Sequence, residues 1–271
     1  MGQRPSRPTL WLLPNLLSLD APLVALVWQD LLARLTVTPL RPPARIVLGL
    51  TVWAVYLADR VLDVRLPAVS EEAPRHRFYR RHRPLAIVLL GAVLLADAAV
   101  TVAFLRPSVL RNGFVILAAV LAYLGAVHGG FRWRLPKEFL VALLFTAGTF
   151  LVAGTWAPRP LETLLVPAAV FFSLCVANLT AIESWEWREL RRGKDTGGRS
   201  VVLGLAPWMA PALAGLAAAC LVAGARLPFY RAAGTAAALL WLIWISGRRV
   251  PLDVRRVLVD AALLAPLLFR L

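Results

Sequence analysis

Apolar residues run along this chain in long blocks, interrupted by short clusters of Arg, Pro and Gly. A helix crossing the hydrocarbon of a bilayer needs roughly 20 mostly apolar residues, because it rises about 1.5 Å per residue across about 30 Å. Cutting the blocks at their punctuation predicts about nine transmembrane helices, near 16–38, 45–63, 84–105, 111–128, 137–157, 161–181, 203–225, 229–246 and 253–270. The pattern predicts an all-α polytopic membrane protein, with one transmembrane helical domain over 1–271. The segment 111–128 is short for a full span, and the Leu-rich stretch 10–17 reads as an amphipathic lead-in or as part of the first helix. Arg4 and Arg7 resemble the start of a signal peptide. No small-residue cleavage site follows before the apolar run continues, so the N-terminus is expected to be retained.

Composition agrees with that pattern. A chain of 271 residues that is 59% hydrophobic is too apolar for a soluble domain of its length, and its mean hydropathy is +0.70. Charge adds direction. Most of the 30 Lys and Arg fall in the segments that face the cytoplasm if the N-terminus is inside, among them the run from Arg60 to Arg83 and the group Arg188, Arg191, Arg192, Lys194 and Arg199. Basic residues near span ends are retained on that side, which predicts an inner-membrane protein with a cytoplasmic N-terminus. The net charge of +15 is thereby explained by orientation and by contact with membrane lipid headgroups, and it does not point to nucleic acid. Cys175 and Cys220 lie inside apolar spans and read as packing residues.

Chemistry concentrates on two connections, about 64–83 and 182–202, both predicted to lie on the cytoplasmic side and to cap a site there. Ahead of the first, Asp59 and Asp63 stand four residues apart and so project from one helical face, an arrangement suited to a shared divalent cation. Ahead of the second, Asn178 is followed by Glu183, Glu186 and Glu189 at steps of three. Basic residues trail each acidic group. Mg²⁺ is commonly held by a few carboxylates together with phosphate oxygens, and Arg and Lys can take the remaining phosphate charge.

These residues resemble the UbiA-type intramembrane prenyltransferases, which are similar in helix number, in orientation and in carrying two acidic motifs after the second and sixth helices. Asp59-Arg60-Val61-Leu62-Asp63 is similar to the second half of the family's first motif. Asn178 through Thr196 is similar to the second, with Gly193-Lys194-Asp195-Thr196 as its trailing element. Tyr123, together with Arg132 to Glu138, resembles a family element between helices four and five. Val55 and Tyr56 stand where the family usually has Asn and Asp, and the second motif offers Glu where the family normally has Asp.

The resemblance implies a UbiA-like bundle and Mg²⁺-dependent transfer of an isoprenyl group from an isoprenyl diphosphate to an aromatic or other lipophilic acceptor. It implies catalytic Asp59, Asp63, Glu183 and Glu186, metal ligands Asp59, Asp63, Glu186 and Glu189, and diphosphate contacts from Arg77, Arg81, Arg192 and Lys194. Trp53, Tyr56, Tyr123, Trp185 and Trp187 are candidates by position for stabilising a developing cation, with no role assigned to any one of them. Two alternatives remain beside transfer. One is a degenerate member of the fold that binds a lipid or isoprenoid without turning it over. The other is a small transporter, for which Asp97 in mid-span is the main feature. His76, His82 and His128 have no helical metal spacing and read as interfacial residues. No Gly-rich phosphate loop, His-Glu-x-x-His or nucleophile elbow is present.

Overall fold

The computed structural model describes residues 17–63, 79–129, 137–157, 160–190, 201–224 and 226–269. Within them the chain is helical throughout, without strands: α1 (Asp20–Leu35), α2 (Pro42–Asp63), α3 (Arg83–Phe104), α4 (Pro107–His128), α5 (Lys137–Trp156), α6 (Pro160–Leu190), a 3₁₀ turn (Val201–Trp208) leading into α7 (Met209–Ala223), α8 (Pro228–Ser246), α9 (Leu252–Ala262) and a last 3₁₀ turn (Ala265–Phe269). Proline sets several starts. Pro84, Pro107 and Pro228 occupy the first turns of α3, α4 and α8, where the missing N–H is one that has no helical partner anyway. Gly247 ends α8 at φ +55°, a left-handed conformation that a side chain would strain.

Among the described residues, six stretches are long and apolar enough to cross a membrane: α3, α4, α5, Glu162–Glu189 of α6, Leu203–Val222 and α8. The other three segments read as spans differ from these in kind. α1 has 16 residues, α2 has 22 residues but carries Arg45, Asp59, Arg60 and Asp63, and α9 has 11 residues and is strongly amphipathic. α6 is longer than read: 182–190 continues it as helix, giving 31 residues and a length of about 46 Å. The rest of that connection, 191–200, lies outside the described residues, as do 64–78 of the other.

The core sits between α1, α5, α6, α7, α8 and α9. Trp28 is fully buried at its centre; its ring packs 4.8 Å from Phe171 and 5.4 Å from Phe229, and its Nε1 donates to the Leu263 carbonyl at 2.8 Å. One side chain thus joins α1, α6, α8 and the chain beyond α9. α7 and α8 approach closely through small residues, with Ala232, Ala233, Ala236 and Ala237 fully buried. At the periphery, α2 packs on α3, while α4 leans mainly on α5. α3 and α4 present Leu85, Val88, Leu95, Val102, Val115 and Leu121 outward, a surface suited to lipid and unfavourable in water.

Candidate functional site

The polar residues meet where α2, α4 and α6 end and where α1, α5 and α9 contribute their own polar groups. Leu57 and Val61 of α2 are buried in a small cluster with Tyr79, Ala86 and Val93, which fixes the rotation of the helix. Asp59 and Asp63, one turn apart, therefore share a different face. Arg60 Nη1 lies 3.6 Å from Asp59 Oδ2 and 3.5 Å from Asp63 Oδ2. The opposite oxygens turn to α4: His128 Nε2 lies 3.9 Å from Asp59 Oδ1 and 3.4 Å from Asp63 Oδ1. Each carboxylate thus divides its two oxygens between a guanidinium and an imidazole.

The imidazole is oriented from below. His128 Nδ1 stands 3.0 Å from the Leu124 carbonyl, which only accepts, so Nδ1 carries the hydrogen. In the neutral ring Nε2 then presents a lone pair towards two carboxylates, three electron-rich groups whose convergence suits a cation. Asp59, Asp63 and His128 offer ligand atoms that all lie within 4.8 Å of one another. Lys137 of α5 lies within electrostatic reach of Asp59, and Tyr123 within that of Asp59, Asp63 and Glu138. Glu138 is 6% exposed and its buried Oε1 has no hydrogen-bond partner.

Deeper along α2, Tyr56 lies within electrostatic reach of Asp20, Asp260 and Arg60. Asn178 Nδ2 donates to Asp260 Oδ1 at 3.1 Å. The two acidic segments of the sequence therefore approach one another through Asp260 of α9, a residue that sequence reasoning missed. A carboxylate in the apolar segment 253–270 was the signal, since such a group needs a partner. Beside this group Tyr79 is buried, and burial pushes its phenol above the ordinary tyrosine range.

The second acidic group is placed differently from the first. Glu186 Oε1 lies 2.7 Å from Arg256 Nη2, Glu189 is ion-paired with Arg255, and Arg256 also reaches Asp253 at 3.2 Å. Arg255 and Arg256 are buried, at 3% and 4% exposure, so α9 turns its cations onto α6. Glu183 is partly buried, and Arg81 is exposed. Arg77, Arg192 and Lys194 lie outside the described residues. Among the described residues, the group with metal-ligand spacing is Asp59, Asp63 and His128; Glu186 and Glu189 are not part of it. His128 itself, read from sequence as interfacial, sits against both acids.

Of the remaining polar residues, Asp97 Oδ2 accepts from Thr51 Oγ1 at 2.8 Å, between α2 and α3. Trp53 Nε1 donates to the Leu17 carbonyl at 3.0 Å. The fold and the site together define an α-helical protein compatible with multiple membrane crossings, with a carboxylate–imidazole–arginine centre at one end. Comparison with protein-family models, with curated proteins and with solved structures finds no match for this chain.

Proposed function

We propose that this chain is a UbiA-like intramembrane prenyltransferase, a bundle of about nine spans in the inner membrane with its N-terminus and polar end on the cytoplasmic side. In this reading it moves an isoprenyl group from an isoprenyl diphosphate to an aromatic or other lipophilic acceptor, with Mg²⁺. The observation that carries the reading is the convergence of Asp59, Asp63 and His128 to within 4.8 Å. The donor set fits a divalent cation: the Oδ1 edges of both carboxylates face a ring nitrogen whose tautomer is fixed by Leu124. Mg²⁺ is typically bound by one or two carboxylates and completes its shell with water and phosphate oxygens.

Bound there, the cation would neutralise diphosphate charge and make it a better leaving group. Arg60 holds the Oδ2 edges and orients both carboxylates. Lys137, within electrostatic reach of Asp59, would add positive charge where a leaving diphosphate gains negative charge. When the prenyl C–O bond breaks, its electron pair stays with the diphosphate and an allylic cation remains. Tyr56 and Tyr123 offer aromatic faces near these groups, and the surrounding apolar helices exclude water until the acceptor forms the new bond and loses its proton.

A second reading, binding without turnover, is favoured by the ion pairs of Glu186 with Arg256 and of Glu189 with Arg255, which occupy the second acidic group. One experiment separates the two. Purified protein in detergent is incubated with radiolabelled isoprenyl diphosphates, mixed aromatic acceptors and Mg²⁺, and diphosphate release is compared between wild type and Asp63→Ala. Release that disappears in the variant and with chelator supports transfer. Donor that is bound but never consumed supports the binding reading, and a folded protein that neither binds nor consumes any donor refutes both.

A further inference from the structure

Away from the Asp59–His128 centre, four side chains at the ends of α6 and α8 and the start of α9 are stacked in order. The Arg188 guanidinium lies 5.8 Å over the Trp244 ring. Trp244 stacks on Trp185 with ring centroids 5.9 Å apart and planes at 27°, and Arg255 lies 4.9 Å over Trp185. They line a cleft of about 290 Å³, closed by Glu189, Ala206 and Gly247. We propose that this cleft binds the phosphate of an anionic membrane lipid.

The charge balance favours an anion: Arg188 and Arg255 face it against the single carboxylate of Glu189. Arg255 gives its Nη2 to Glu189 but keeps a buried Nε–H without a hydrogen-bond partner, and Arg188 brings a second, exposed guanidinium. A guanidinium that stacks uses its face on the ring and leaves its N–H edge for a phosphate, whose oxygens it matches in pairs. Rigidity comes from Trp185, which is 2% exposed and holds Arg255. Gly247, at φ +55°, turns the backbone away at the rim, and a side chain there would be strained.

The surroundings say that the phosphate arrives on a lipid. The cleft lies at the ends of three apolar, membrane-length segments, Glu162–Glu189, Leu203–Val222 and α8. On two of those segments Trp208, Leu242 and Ile245 are exposed at 69%, 48% and 51%, apolar surface that suits acyl chains near the same end of the helices. Trp and Arg are also the residues that settle at headgroup level. The cleft has room for a headgroup larger than a bare phosphate ion, since a water occupies about 30 Å³.

The test is native mass spectrometry of the full chain in detergent, titrated with phosphatidylglycerol, with phosphatidylcholine and, separately, with inorganic phosphate. The expected result is retention of phosphatidylglycerol over phosphatidylcholine. Affinity should fall about tenfold in Arg188→Gln and in Trp244→Leu, as loss of a charge-assisted contact implies, and stay unchanged in Arg111→Gln on α4. Arg188 is exposed, so its variant keeps the test decisive even if Trp244→Leu does not fold. Equal retention of the two lipids, an equal loss in Arg111→Gln, no loss in Arg188→Gln, or inorganic phosphate binding as tightly as the lipid would each overturn the proposal.

Discussion

His128 Nε2 lies 3.4 Å from Asp63 Oδ1, while Asp63 Oδ2 faces Arg60 at 3.5 Å, so one carboxylate is shared between α4 and its own helix. A cation bound at this point would be felt by both helices. The purified protein is therefore expected to bind Mn²⁺, used as a paramagnetic substitute for Mg²⁺, with affinity read by electron paramagnetic resonance. Asp63→Asn and His128→Gln should each weaken it by about tenfold or more. Unchanged Mn²⁺ binding in both variants would leave the centre as an ion-pair cluster only.

Glu186 and Arg256 form an ion pair with little exposure on either side, 10% and 5% for the two side chains. Without Glu186 the buried Arg256 keeps only its contact with the half-exposed Asp253 among the described ion pairs. Glu186→Gln should lower stability by about 1–3 kcal/mol, whereas Glu186→Gln combined with Arg256→Met should recover much of that loss. The check is thermal unfolding in detergent across the two single variants and the pair. If Glu186→Gln unfolds like wild type, the pair is not a structural tie, and Glu186 becomes available to a ligand.

Asp97 separates transfer from transport. Its Oδ2 accepts from Thr51, and an asparagine can keep that bond through its amide oxygen. Asp97→Asn should leave Mg²⁺-dependent diphosphate release at the wild-type rate. A transporter reading predicts instead that uptake into sealed vesicles exists and disappears in this variant.

Gly234 tests the close approach of α7 and α8. A Cβ there would stand 2.6 Å from Leu221 Cγ and 3.2 Å from the Ala217 carbonyl oxygen, so an added methyl forces the helices apart. Gly234→Ala should cost about 1–3 kcal/mol, read as a lowered unfolding midpoint. No change would mean that Leu221 swings aside freely.

Much of this architecture is legible along the chain because its punctuation is local. Pro84, Pro107 and Pro228 set helix starts within a few residues of those read from the sequence, since a proline's effect depends on nothing distant. Asp59 and Asp63 share a face by spacing alone. The pairing of His128 with them is different in kind: it depends on where α4 lies against α2, and no periodicity encodes that. The same holds for Glu186 and Glu189. Their steps of three put them on adjacent positions of α6, but the arginines that meet them come from α9. In sequence Arg255 and Arg256 look like markers of membrane orientation, because nothing in the neighbouring residues shows that they are buried.

α9 supplies partners to helices made long before it: Asp260 to Asn178, Arg255 and Arg256 to Glu189 and Glu186, and the turn after it gives the Leu263 carbonyl to Trp28. During synthesis, then, α1 and α6 are made with buried polar groups still unmet. The polar end can close only after the ribosome has delivered residues 252–263, so its assembly is a late event that follows synthesis of the earlier helices.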